Sequence, residues 1–72
     1  MTRTQIRLDT LTEVNKFVEA MTHLNEPVWL EDGSGIRVSA RSVLGCLYSL
    51  EWVRIYCCCD KDINSHLMPW AV

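Results

Sequence analysis

The segment from Thr10 to Leu24 constrains the fold of this chain most strongly, because its apolar residues recur at helical spacing. Thr10 and Glu13 fit a capping box, in which a hydroxyl and a carboxylate each satisfy a backbone N–H at the exposed helix end. Spacings of three and four residues form one apolar stripe: Leu11, Val14, Phe17, Val18, Met21 and Leu24. Asn25 and Pro27 end the pattern, since proline cannot continue a helix. The segment therefore predicts one amphipathic helix with a buried face.

Strands are predicted on both sides of this helix. Thr4 to Leu8 alternates polar and apolar side chains, which is typical of a half-buried strand. After the helix, Val28 to Glu31 and Ile36 to Val38 form a hairpin across the tight turn Asp32 to Gly35, where glycines supply positive φ angles. Because this segment joins strand to strand, its glycines do not form a phosphate-binding loop.

The second half of the chain adds two helices and a strand. Val43 to Tyr48 is long enough for about two helical turns, and Ser42 is placed as its N-cap. Glu51 to Cys59 is predicted as a strand, and Asp60 to Met68 as a short helix ended or bent by Pro69. The order of elements is therefore β-α-β-β-α-β-α.

These elements predict an α+β fold, with one largely antiparallel sheet and all helices packed on one of its faces. A chain of 72 residues suits a single domain, residues 1–72, with a thin core. The other sheet face is left partly wet, and Trp29, Trp52 and Tyr56 are expected on it. These aromatic residues either cover a small sheet or mediate self-association, which predicts a monomer or a weak dimer.

Composition and charge exclude several classes of function. A net charge of −2 and a pI near 5.5, with basic residues scattered along the chain, do not favour nucleic acid as a partner. The first residues lack the apolar run of a secretory signal. The longest apolar stretch, Val43 to Cys59, is interrupted by Glu51 and Arg54, so no membrane span is predicted. We therefore expect a cytoplasmic protein.

Four cysteines, Cys46 and the consecutive Cys57 to Cys59, raise the question of a metal or redox site. Side chains alternate along a strand, so Cys57 and Cys59 are predicted to face inward with Val53 and Ile55, and Cys58 to face the other way. The three consecutive thiols therefore cannot all surround one metal ion. Asp60 and His66 could join a mixed site, but no C-x2-C spacing supports it. The sequence predicts buried or half-buried apolar side chains, with no metal and no cofactor, and a thiol or metal-binding protein stays an alternative.

The element order, the D-G-x-G-I-R-V hairpin at 32–38 and the segment from Ala40 to Leu50 resemble the HPr phosphocarrier family of the bacterial sugar phosphotransferase system. The most specific part is Arg41-Ser42-Val43-Leu44-Gly45, which is similar to the segment around the family's regulatory serine. The resemblance implies an open-faced β-sandwich, with a four-stranded antiparallel sheet and three helices on one face. It places Ser42 at the position of the regulatory serine.

The chain departs from the family at its phosphoryl-accepting loop. The family carries a G-x-H-x-R-P-like motif there, whereas this chain has Asp9-Thr10-Leu11-Thr12, without histidine, arginine or glycine. A helix N-terminus favours anions, but Asp9 and Glu13 would repel a phosphoryl group. The sequence therefore predicts no catalytic residue and a protein that is not an enzyme. Phosphoryl transfer through His23 or His66 stays an alternative, although His23 lies at the wrong end of the helix dipole.

Ser42 has two interpretations, a helix N-cap and a regulatory phosphorylation site. In the second, Val43, Leu44 and Leu47 form an apolar protein-binding patch beside the phosphate. The predicted function is a regulatory or protein-binding module of the phosphotransferase-system type. The partners implied by the resemblance are other phosphotransferase-system components, a serine kinase or a transcriptional regulator.

Overall fold

Four strands and two α-helices form most of the molecule, and the computed structural model describes all residues from 1 to 72. In chain order the elements are β1 (Thr2–Ile6), α1 (Leu11–Thr22), β2 (Val28–Glu31), β3 (Arg37–Ser39), α2 (Val43–Ser49) and β4 (Ile55–Cys59), followed by 3₁₀ turns at Asn64–His66 and Met68–Trp70. The strands form one antiparallel sheet in the order β1-β4-β2-β3. Neither α-helix has the length and apolar character that crossing a lipid bilayer requires.

The first helix begins as its capping pattern predicts. The backbone N–H of Glu13 donates to the Thr10 hydroxyl at 3.2 Å, and the Glu13 carboxylate accepts the backbone N–H of Asp9 at 3.0 Å. The predicted stripe is buried at four positions: Val14, Phe17, Val18 and Met21. The prediction that Leu11 belongs to the buried stripe is wrong, because its side chain is exposed in the first turn of the helix.

The core lies between one face of the sheet and the helices. The sheet contributes six buried side chains to it: Ile6, Val28, Leu30, Ile55, Cys57 and Cys59. Phe17 of α1 meets the ring of Trp70 edge to face, with centroids 5.2 Å apart, so the last turn of the chain is anchored in this core. The predicted α+β class and open-faced, four-stranded antiparallel architecture are confirmed, whereas the particular topology of the phosphocarrier family stays a prediction.

Three predicted strands have different bounds. The third strand spans Arg37–Ser39, one residue later than the predicted Ile36 to Val38. The first strand begins and ends two residues earlier than predicted, at Thr2–Ile6. The last strand begins only at Ile55, because the N–H groups of Glu51 and Trp52 still bond to carbonyls of α2. Val53, predicted to face inward, is therefore 98% exposed. Trp52, predicted on the open face of the sheet, instead packs partly against the core.

The predicted third α-helix, Asp60 to Met68, is replaced by the two 3₁₀ turns. The Asp62 carboxylate accepts the backbone N–H of Asn64 at 3.0 Å, which favours a local turn over a continuous helix. Pro69 then removes a donor and restricts the residue before it. The chain returns to the outer edge of β1, where the N–H of Arg7 donates to the carbonyl of Trp70 at 2.8 Å.

The opposite face of the sheet carries no helix. Strand alternation places on it Arg3 and Gln5, Trp29 and Glu31, Arg37 and Ser39, and Tyr56 and Cys58. Trp29 lies opposite Cys58 in the ladder, and Tyr56 lies opposite Glu31. The prediction that Trp29 and Tyr56 occupy this open face is confirmed.

Candidate functional site

Ser42 begins α2 as its N-cap. The turn after β3 brings the N–H of Ser42 to the carbonyl of Ser39 at 3.2 Å, and Ser42 keeps an extended backbone. Its Oγ accepts the N–H of Gly45 at 3.0 Å, which satisfies one of the free donors of the first helical turn. The predicted N-cap is confirmed, and the side chain is half-buried.

Gly45 lets this first turn lie close to β3. A Cβ atom at Gly45 would lie 3.2 Å from the Cβ of Val38 and 3.3 Å from the Oγ of Ser42. Both distances are tighter than ordinary van der Waals contact. Although glycine weakens a helix intrinsically, this position requires a residue without a side chain unless its neighbours shift.

Arg41, next to Ser42, is held by the turn that follows the first helix. Its guanidinium donates to the carbonyl of Leu24, and to that of Glu26 at 3.1 Å. These carbonyls belong to the turn that follows α1, where Lys61 also pairs with the Glu26 carboxylate at 2.9 Å. Arg41 thus ties the start of α2 to the end of α1, a contact between segments that no local pattern in the sequence predicts.

The outer side of α2 presents apolar side chains to solvent. Leu44 is 75% exposed and Val43 is 38% exposed, while Leu47 is half-buried and packs partly against the core. Tyr48, 67% exposed, continues the same face. We refer to Val43, Leu44, Leu47 and Tyr48 as the α2 surface. It contains a shallow groove of about 280 Å³, lined by Leu44, Leu47, Tyr48 and Glu51.

Tyr48 and Glu51 were not among the predicted site residues. The sequence spacing could have identified them. Leu44, Tyr48 and Glu51 follow each other at intervals of four and three, which places them on one side of a helix. Glu51 is the one charged side chain that lines the groove, and it takes part in no ion pair of this structure. The groove is therefore apolar with an acidic margin.

The loop before α1 carries negative charge at the helix start. The Glu13 carboxylate is bonded to the N–H of Asp9, and the Asp9 carboxylate pairs with Arg7, with Nε and Oδ2 3.1 Å apart. Arg7 lies before this loop, directly after β1, and its ion pair with Asp9 forms because the chain turns between the two residues. The prediction that the carboxylates of Asp9 and Glu13 lie at the start of α1 is confirmed.

The two histidines lie apart from that loop. His23 is exposed directly after α1, at the negative end of its dipole. His66 is exposed in the first 3₁₀ turn. Phosphoryl transfer through either residue stays a prediction.

All four cysteines are buried and free. Cys46, Cys57 and Cys59 belong to the core, whereas Cys58 lies on the opposite face of the sheet, so the predicted alternation is confirmed. Burial raises the pKa of Cys57 to about 12 and those of Cys46 and Cys58 to about 11. No three metal-ligating side chains come together. The raised pKa values leave Cys46, Cys57 and Cys58 protonated at neutral pH, and a protonated thiol is a poor nucleophile.

Comparison of the chain with models of known protein families, with curated proteins and with solved structures gives no match. The α2 surface is distinguished by large apolar side chains that remain exposed beside a capping serine.

Proposed function

We propose that this chain is a non-enzymatic, HPr-like binding module of the bacterial phosphotransferase-system type, which acts in the cytoplasm and docks on a partner protein through the α2 surface. The observation that carries the proposal is the exposure of Leu44 and Tyr48 on one side of a short helix. Exposed apolar side chains that adjoin each other are typical of protein interaction sites.

The groove favours a protein over a small molecule. It is shallow and lined by only four residues, whereas small-molecule sites enclose most of their ligand. One side chain of a partner can fill the groove, while Val43 and the ring of Tyr48 contact the partner around it. Because Glu51 is the only charge at its margin, the partner carries a cationic group opposite that carboxylate.

Ser42 supplies the regulation in this proposal. Phosphorylation would add about −1.5 to −2 units of charge to the start of the helix that bears the α2 surface. That charge has the same sign as Glu51, so it strengthens binding to the same cationic partner surface. Following the resemblance, the partners are a serine kinase of the HPr type and a regulator that binds the phosphorylated form.

The regulatory part is tested by the intact mass of the protein after incubation with an HPr serine kinase and ATP. The expected result is addition of one phosphate to the unmodified chain and to Ser65→Ala, which removes an exposed serine elsewhere. Ser42→Ala should accept none. No phosphate on the unmodified chain, or addition that survives Ser42→Ala, contradicts the proposal.

A further inference from the structure

Arginine is concentrated on the open face of the sheet and at one end of the sheet. Arg3 and Arg37 lie on the open face, Arg7 follows β1, and Arg54 precedes β4. These are four of the five arginines in a chain whose net charge is −2. Two carboxylates lie among them, Asp9 beside Arg7 and Glu31 beside Arg37, so this region keeps an excess of positive charge.

Two of these guanidinium groups are held in place by stacking. The Cζ atom of Arg3 lies 4.1 Å from the ring centroid of Tyr56, and that of Arg37 lies 4.5 Å from the ring of Trp29. Glu31 supports the second pair, since its carboxylate accepts the Trp29 indole N–H at 2.8 Å and lies 3.3 Å from the Nε of Arg37. A stacked guanidinium loses less side-chain freedom when it binds an anion than a free one does.

Arg3 and Arg54 have no carboxylate partner within the chain. The ion pairs of the structure join Arg7 with Asp9, Arg37 with Glu31, and Lys61 with Glu26. The N–H donors of Arg3 and Arg54 are therefore available to an external acceptor. A carboxylate suits them, because the planar group can donate two parallel hydrogen bonds to it.

A groove lies beside Arg7 and Arg54 at one end of the sheet. It measures about 330 Å³, and its walls include Arg7, Asp9 and Arg54 as well as the apolar Trp52 and Val53. Because Asp9 pairs with Arg7, Arg54 is the cation of this groove that has no carboxylate partner. Val53 is almost fully exposed, so one wall offers an uncovered apolar contact beside cationic groups. This combination fits a segment that presents acidic and apolar side chains together.

We propose that the open face of the sheet and this groove bind an acidic segment of a partner protein. Its carboxylates pair with Arg3 and Arg54, and an apolar side chain enters the groove against Val53. Nucleic acid fits less well, because guanidiniums already cover the rings of Trp29 and Tyr56 and the Glu31 carboxylate lies among them. The open face lies across the sheet from α2, and the groove is lined by residues past the end of α2 and by none of the α2 surface, so this binding is separate from docking through the α2 surface.

The test is a titration of the ¹⁵N-labelled protein followed by NMR. The probes are a synthetic peptide of alternating Glu and Leu, its Lys and Leu counterpart, and a thymidine oligonucleotide of the same length. The acidic peptide should give saturable shifts centred on β1, β4 and the 52–54 segment and absent from α2, whereas the other two probes should leave β1, β4 and the 52–54 segment unshifted. Its affinity should fall with added salt, since the pairs are exposed.

Matched charge variants identify the residues involved. Arg54→Gln and Arg3→Gln should each raise the dissociation constant of the acidic peptide by roughly threefold, which corresponds to the loss of one exposed ion pair. Lys16→Gln removes an exposed cation from α1 and should leave the affinity unchanged. No saturable shifts, shifts confined to α2, tighter binding of the oligonucleotide, or equal losses in all three variants would each overturn the proposal.

Discussion

The backbone N–H of Gly45 donates to the Oγ of Ser42 at 3.0 Å, so one hydroxyl closes the first turn of α2. Ser42→Ala should lower the free energy of unfolding by about 1 kcal/mol, because it removes this cap. Ser42→Asp should lose less, since its carboxylate can accept the same N–H. Urea denaturation measures both, and equal losses in the two variants would show that capping does not determine the effect.

Gly45 is the second partner in that contact. Gly45→Ala should destabilise the protein by about 1 kcal/mol, because the new methyl group crowds Val38 and outweighs the better helix propensity of alanine. In a Val38→Gly background, which removes the Cβ atom that the new methyl group would crowd, the same substitution should cost clearly less. The double-mutant cycle, measured by thermal and urea unfolding, separates the steric effect from helix propensity. An undiminished loss in the Val38→Gly background would disprove the steric explanation.

Elements with strong local signals could be predicted from the sequence. α1 follows from its capping residues and stripe, and β2 has the predicted bounds, Val28–Glu31. The third helical segment has a different type and different bounds from the predicted helix Asp60 to Met68, because local turn chemistry at Asp62 and Pro69 favours two 3₁₀ turns over a continuous helix.

For the site, Ser42 and the exposed Leu44 could be predicted, because a cap and an outer helix face are local features. Two contacts could not be predicted: the hydrogen bonds from Arg41 to the carbonyls of Leu24 and Glu26, and the stacking of Arg3 on Tyr56. Both depend on the strand order and join residues distant in sequence.

Asp32 organises the hairpin turn by accepting the N–H groups of Ser34 and Ile36 at 2.8 and 3.2 Å. The backbone N–H of Ser34, then its hydroxyl, hold the pKa of this carboxyl below its ordinary value. A depressed pKa in the folded state stabilises the protein above the ordinary carboxyl pKa, about 4, and this stabilisation is lost as the pH falls through the lower folded value.

Asp32→Asn should therefore be less stable than the unmodified chain at neutral pH. The difference should shrink as the pH falls below about 4, because a protonated aspartate resembles asparagine. Urea unfolding across this pH range measures it. A difference that stays constant down to the acid transition would contradict the role of the charge.

Buried thiols make the protein sensitive to alkaline pH. The unfolded chain ionises its cysteines above about pH 8.5, whereas burial keeps Cys57 neutral up to a pKa of about 12. The raised folded pKa leaves stability intact below the ordinary thiol pKa and removes it progressively above that value. Cys57→Ala should show a shallower decline of unfolding free energy between neutral and alkaline pH. Identical declines in the two proteins would argue against a buried, neutral thiol at this position.

Docking through the α2 surface is measured most directly by the dissociation constant for an HPr serine kinase, determined by calorimetric titration. Leu44→Ser should weaken binding by about tenfold or more, as expected for an apolar side chain central to an interface. Met68→Ser is the matched control, since Met68 is 72% exposed in the last 3₁₀ turn, and it should bind as the unmodified chain does. An unchanged constant for Leu44→Ser, or an equal loss in both variants, would contradict docking at this surface.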